Sequence, residues 1–370
     1  MSWDAADAMS EISDTDRRVS TIVDTPSWKS YVLNGADLDA TVFPPLRWAV
    51  DGLIPEGFGL LTGPPKAGKS WLVGGLALAV ASGGKALGKV PVREPRPVLY
   101  LALEDGPRRL QGRCRVLLGE GVPIPPLLDF VTQTHGIGSV NLISDWLTEN
   151  GHRAPLVVLD TLGKVMPDAK PGESAYSRDY RIGSSLKAVI DAHPGSTLIA
   201  VHHVRKAAGE DWMDSTSGTN GLNGAADFTL NISRQRNSDA GILRVTGRDV
   251  VENEYAVTTD SGRWSLDGQA LADAAQKAEI EKQTAGLGDR SSQIVNWIEQ
   301  QKCSVTPKEV EAALGIPDAA VYLKRLVERG SIDKLQRGLY ASVTSVRSVS
   351  LEGVSSDTPD GYDTSSGEVA

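Results

Sequence analysis

Residues Gly63 to Ser70 read GPPKAGKS, the pattern G-x-x-x-x-G-K-[ST], and no other stretch limits the fold of this chain so narrowly. Its glycines let the backbone wrap tightly around phosphate with its N–H groups turned inward, and a helix N-terminus behind them adds positive potential. In that scheme Gly63, Pro64, Pro65, Lys66, Ala67 and Gly68 form the cradle, with Trp71 flanking it on the first turn of the helix. Lys69 then reaches the β- and γ-phosphates and Ser70 offers its hydroxyl to Mg²⁺, so the implied ligand is a magnesium nucleotide. Such a loop works only between a strand and a helix. The apolar run Phe58-Gly-Leu-Leu-Thr62 precedes it, and Trp71 to Val80 reads as a buried helix after it.

That unit places the chain in the α/β class. Val98–Leu103, Leu156–Leu159, Thr197–Val201 and Ile242–Thr246 read as strands, with helical patterns near 106–118, 140–150 and 176–192 between them. Alternation of this kind predicts a mostly parallel sheet covered by helices on both faces. Shorter, strand-rich elements around 226–266 are expected to finish the sheet with antiparallel strands. The expected domains are an acidic, partly disordered segment over 1–40, an ATPase domain over 41–266 and a helical linker over 267–288. A winged helix follows over 289–342, then a disordered acidic tail over 343–370. Within the linker, Gly286 and Gly288 suggest a hinge.

A net charge of −9 argues against nucleic-acid binding only until it is divided along the chain. Residues 1–40 carry three basic and eight acidic groups, and residues 341–370 one and five, so the two ends hold all of the excess. The parts expected to fold are close to neutral, which leaves room for a local DNA-binding surface. The two cysteines, Cys114 and Cys303, match neither a disulfide framework nor a zinc pattern. Together with a polar, acidic start and the lack of a bilayer-length apolar run, they favour a cytoplasmic protein without membrane contact.

A phosphate cradle needs carboxylates to handle metal and water. Asp160 ends the strand PLVVLD at the carboxyl edge of the sheet, where it would hold Mg²⁺ through water. Glu104, ending LALED in the same way, is placed to activate the attacking water, and Asp105 beside it reads as the N-cap of the following helix. The strand TLIAV runs into His202-His203-Val204-Arg205-Lys206, where His203 is the candidate sensor of the γ-phosphate. A zinc site at the two histidines is not expected, since adjacent residues point apart. The glycine-containing stretch from Ala207 to Asp227 reads as a loop that contacts a polymer and moves with nucleotide state.

With GPPKAGKS, LALED, PLVVLDTL and VHHVRK in this order over about residues 45–260, the chain resembles the RecA-like ATPases of the RepA and DnaB hexameric helicase group. The resemblance implies ATP and Mg²⁺ as cofactors and a homo-hexameric ring around single-stranded DNA, with replication proteins as further partners. It assigns nucleotide binding to Lys69 and Ser70, the metal to Ser70 and Asp160, the base to Glu104 and the sensor to His203. It also implies an arginine supplied by the neighbouring subunit. Arg248, in VTGRD, stands near that position, but Thr246 replaces the lysine of the family's pair, and Arg234 and Arg236 compete with it.

Residues 289–341 read as a winged helix-turn-helix. Thr306-Pro-Lys-Glu309 is a capping box opening a helix that stops at Gly315, and a third helix spans Pro317 to Arg329. Opposite its core positions Ala319, Leu323 and Leu326, the residues Tyr322, Arg325 and Arg329 would meet DNA, with Lys334 and Arg337 reaching phosphates from the wing. The rival use of such a domain is protein contact or ring assembly.

Overall fold

The computed structural model describes residues 32–134, 138–203, 221–235, 238–284, 288–301 and 303–343. Two units are distinguished, Met1–Pro45 and Leu46–Ala370. In the first, helix α1 (Gly35–Ala40) is capped by Asn34, whose side chain accepts from the Ala36 N–H at 2.8 Å, and none of its residues is buried.

The second unit is built on a nine-stranded sheet. In chain order the strands of this unit are β1 (Trp48–Val50), β2 (Ile54–Pro55), β3 (Gly57–Thr62), β4 (Lys85–Ala86), β5 (Val90–Pro91), β6 (Val98–Ala102), β7 (Leu128–Val131), β8 (Leu156–Asp160) and β9 (Thr197–Val201). They continue as β10 (Phe228–Arg234), β11 (Ala240–Gly247), β12 (Asn253–Asp260) and β13 (Arg263–Leu266). The order in space is β13-β12-β11-β10-β3-β9-β8-β6-β7, with β1–β2 and β4–β5 as separate two-stranded ribbons. From β10 across to β7 the pairing is parallel, and β11, β12 and β13 are antiparallel, as expected from the alternation and its breakdown after residue 226.

The central strands are apolar at nearly every position because both faces of the sheet are covered. Side chains still alternate along each strand: on β8, Leu156 and Val158 face one core and Val157 and Leu159 the other. The first core is closed by α2 (Lys69–Ser82), α3 (Pro107–Leu118) and Ala274, the second by α4 (Ser139–Asn150), α5 (Ala175–Asp191) and the short α6 (Gly221–Ala225). Tyr100 on β6 belongs to the α2 side, and Asp160 follows Val158 by two residues, so it points to that side as well. This parity directs the end of β8 toward the start of the P-loop helix.

Three differences from the sequence reading concern order. The Ala207–Asp227 stretch is not loop throughout: its last part forms α6, packed on α5, while 207–220 lie outside the described residues. The linker helix α7 (Leu271–Thr284) does more than connect, since Ala274 and Ala278 are buried and Ala274 joins the sheet's core. β7 is absent from the sequence reading, because an edge strand of four residues carries too little pattern. Gly286, Arg236 and the tail beyond Val343 lie outside the described residues.

The C-terminal part has its own core. Helices α8 (Asp289–Gln300), α9 (Pro307–Leu314) and α10 (Ala319–Glu328) pack Ile294, Ile298, Val310, Leu323 and Leu326 together with Ile332 and Tyr340. β14 (Asp333–Gln336) and β15 (Leu339–Ala341) pair as the wing. The capping box forms: the Glu309 N–H donates to Thr306 Oγ1 and the Thr306 N–H to Glu309 Oε2. Among the described residues no helix is long and apolar enough to cross a membrane.

Candidate active site

β3 ends at Thr62 and the chain turns through the glycine loop into α2. Gly63 and Gly68 have φ of 149° and 98°, and a side chain at Gly63 would strike the Ile232 carbonyl, so both turns require glycine. No side chain caps α2, which leaves its N-terminus to the loop itself. Lys69 is nearly buried and folds back, donating from Nζ to the carbonyl oxygens of Gly63 at 2.7 Å and Pro64 at 3.0 Å. Burial pushes its pKa down to about 8, against the opposing pull of Asp160 and Glu104. A buried ammonium satisfied only by carbonyls gains from an anionic partner. Pro65 and Lys66 are exposed on the loop, and Ala67 is buried beneath it.

Asp160, 7% exposed at the end of β8, accepts hydrogen bonds from the Tyr100 hydroxyl at 2.9 Å and from Ser70. Burial raises its carboxyl above the ordinary value, and these two hydrogen bonds oppose the shift. β9 lies between β3 and β8, and the His202 N–H donates to the Leu61 carbonyl at 2.9 Å. His203 is exposed at that edge, and its imidazole lies below the ordinary value, first through partial loss of solvation and then through the Lys69 cation. The charges of Glu104 and Asp160 act on the same imidazole with opposite sign, so the four side chains share one electrostatic neighbourhood. Glu104 is exposed, two residues beyond β6, and its charge also reaches Lys69.

Asp105 is not the cap of α3. That position is taken by Gly106, without a side-chain bond, and the Asp105 carboxylate instead meets Arg113 at 2.6 Å and Arg109 at 3.2 Å. Two ion pairs on a carboxylate only 9% exposed outweigh a cap that would serve one N–H. The trace in the sequence is the four-residue spacing 105, 109, 113, one face of a helix. Tyr100 is a site residue that sequence reasoning misses; its polar end could be suspected from its period-2 relation to the strand end.

The arginine candidates separate by geometry. Arg248 follows β11, whose Gly247 pairs with Phe228 at the start of β10, so it lies at the edge of the sheet opposite the P-loop. There it sits 3.6 Å from Asp227, which also holds Lys187 at 2.8 Å. Arg234 ends β10 on the P-loop side and donates to the Ser238 carbonyl at 3.0 Å. It helps line a cleft of about 260 Å³ beside Gly68, together with Trp71, Asp239, Thr259 and Trp264. The Trp71 ring is packed against Gly262, with the Arg113 guanidinium 5.4 Å from its centroid.

The donor set fits a magnesium ion: a serine hydroxyl and one carboxylate are hard oxygen ligands, already joined by a hydrogen bond. Among the described residues no group of three or more His, Cys, Asp and Glu could hold a metal by itself, and Mg²⁺ does not need one when phosphates supply ligands.

In the winged part, Arg325, Arg329, Lys334 and Arg337 are all exposed. Tyr322 does not stand opposite the core as expected. It is half-buried against it, with its hydroxyl 3.5 Å from Arg290 Nη1, because it stands three residues after Ala319 and four before Leu326 and so borders the core stripe of its helix.

A mostly parallel sheet with the P-loop after β3 and acids at the ends of β6 and β8 defines a P-loop nucleotide-binding fold, followed by a winged helix. Residues 29–209 match the family described as AAA domain, and residues 292–343 the family described as transcriptional regulator, AbiEi antitoxin. Among solved structures, the chain is similar to an ATPase domain at 14% identity, covering 58% of this chain and 85% of that one with a TM-score of 0.46. A DnaB-like replicative helicase, described with its interactions with primase, matches at 13% identity, 56% and 57% coverage and a TM-score of 0.44. The RadB recombinase matches at 14%, with 59% and 92% coverage and a TM-score of 0.40.

Proposed function

We propose that this protein is a Mg²⁺-dependent, DNA-stimulated ATPase that works as a ring, a motor of the replicative-helicase kind from a phage or plasmid type of system. The observation that carries this reading is the convergence of Lys69, Ser70, Asp160, Glu104 and His203 at one sheet edge, in a chain that also bears a winged helix with exposed cations. Ser70 and Asp160 would hold Mg²⁺, which when bound neutralises phosphate charge. Lys69 leaves the carbonyls of Gly63 and Pro64 for the phosphates, and Glu104 takes a proton from the attacking water. His203, between Lys69 and the acids, senses the γ-phosphate.

Arg248 lies at the sheet edge opposite its own P-loop, so a nucleotide it served would belong to a neighbour's site, and a homo-hexameric ring is therefore part of the reading. Arg325 and Arg329 from the helix that Tyr322 buttresses, and Lys334 and Arg337 from the wing, contact DNA phosphates. Turnover stimulated by single-stranded DNA, strand displacement from a fork, and a mass that rises to a hexamer with a non-hydrolysable ATP analogue are the expected results. A strictly monomeric protein with DNA-independent turnover would overturn the reading.

The match of residues 292–343 to a transcriptional-regulator family favours one alternative: a nucleotide-gated DNA-binding regulator or helicase loader. It predicts tight sequence-specific binding with negligible turnover. A recombination ATPase, the third possibility, would hydrolyse ATP on DNA without displacing a strand.

A further inference from the structure

The contacts of Arg113 set it apart from an ordinary surface cation. It lies on α3, its side chain is 12% exposed, and its Nη2 meets the Asp105 carboxylate at 2.6 Å. Its guanidinium also stands 5.4 Å from the centre of the Trp71 ring, and Trp71 directly follows Ser70 in the P-loop helix. Asp105 directly follows Glu104. Arg113 therefore bridges the helix that binds phosphate and the turn that bears the proposed base.

The bridge is built at a cost. Arg113 Nε and Nη1 are buried and make no hydrogen bond, and a buried ion pair contributes little stability compared with apolar residues of similar size. A lysine could pair with Asp105 but could not lay a planar group on an indole while doing so. The cost is intelligible if geometry rather than stability is what the contact supplies.

We propose that Arg113 is a positioning residue for ATP hydrolysis: held between Trp71 and Asp105, it fixes the turn that carries Glu104 at a set place relative to Lys69 and Ser70. The proposal rests on the reading of Glu104 as the base. A shift of about 1 Å in a reacting group can cost roughly a hundredfold in rate, so a clamp on the residue next to the base is enough to matter.

The test uses the full chain with Arg113→Met, Arg113→Lys, Asp105→Asn and Glu104→Gln. Turnover, affinity for a fluorescent non-hydrolysable ATP analogue, and amide exchange of residues 103–106 are measured for each. Leu103 and Asp105 are the natural probes, since their N–H groups donate to the carbonyls of Asp160 and Ala102. Arg113→Met is expected to lower kcat about tenfold to a hundredfold while analogue affinity changes less than about threefold. Exchange in the turn should accelerate, Arg113→Lys should recover only part of kcat, and Arg113→Met should add nothing to Glu104→Gln. Unchanged exchange, unchanged kcat, or an affinity loss equal to the kcat loss would overturn the clamp. Full turnover in Glu104→Gln would instead overturn the base assignment, with the exchange result still deciding the clamp. If Arg113→Met does not fold, Asp105→Asn breaks the same ion pair and is judged by the same outcomes.

Discussion

At the scale of single residues, the site is a balance between burial and charge. Lys69 and Asp160 are both nearly buried, and each is shifted toward its neutral form by that burial. Lys69→Ala removes the cation proposed to meet the phosphates, so phosphate release should fall by at least about a hundredfold. Retained turnover would remove the P-loop from the mechanism. Tyr100→Phe tests the support beneath Asp160. It deletes a hydroxyl that donates to the carboxylate at 2.9 Å, and should lower stability in urea by about 1–2 kcal/mol. No change there would mean that Ser70 alone satisfies the carboxylate.

At the scale of elements, the local signals and the packing agree most closely in α9. Thr306 and Glu309 exchange hydrogen bonds at its start, and Gly315 closes it with φ of 64°. Thr306→Ala should cost about 1 kcal/mol in the stability of the winged part. The Glu309 carboxyl is held below its ordinary value, first by the Thr306 N–H and then by the Thr306 hydroxyl. A carboxyl lowered on folding stabilises fully above its unfolded value of 4.5 and loses that contribution as pH falls through the folded value. The thermal transition of the winged part should therefore drop more steeply below pH 4.5 in the wild type than in Glu309→Ala. Equal slopes would show that the box is not formed in solution.

At the scale of the whole molecule, the winged core is a cluster separate from the two that flank the sheet. Removing residues 289–370 should leave basal hydrolysis intact and abolish binding to duplex DNA, measured by anisotropy and phosphate release together. Replacing Arg325, Lys334 and Arg337 by Ala in the intact chain should flatten the dependence of DNA affinity on salt by about one unit of slope per lost phosphate contact. Loss of basal turnover on truncation would mean that the winged part completes the ATPase site instead.

Much of this molecule is written in short range. The P-loop, the strand ends at Asp160 and Glu104, the antiparallel finish and the capping box each depend on neighbours within a few residues, where glycine geometry, side-chain parity and hydrogen-bond reach are set by spacing alone. The side of the sheet on which Arg248 lies and the choice of Asp105 between a cap and two arginines were decided by packing, whereas the half-burial of Tyr322 follows from its spacing to Ala319 and Leu326 on one helix. Arg248 is placed by a strand order that interleaves distant segments, and Asp105 by a helix face that only the fold brings against Trp71. Sequence alone determined the nucleotide loop and the class of fold; the tertiary structure decided which charges meet around it, because ion pairs form by distance in space and not along the chain.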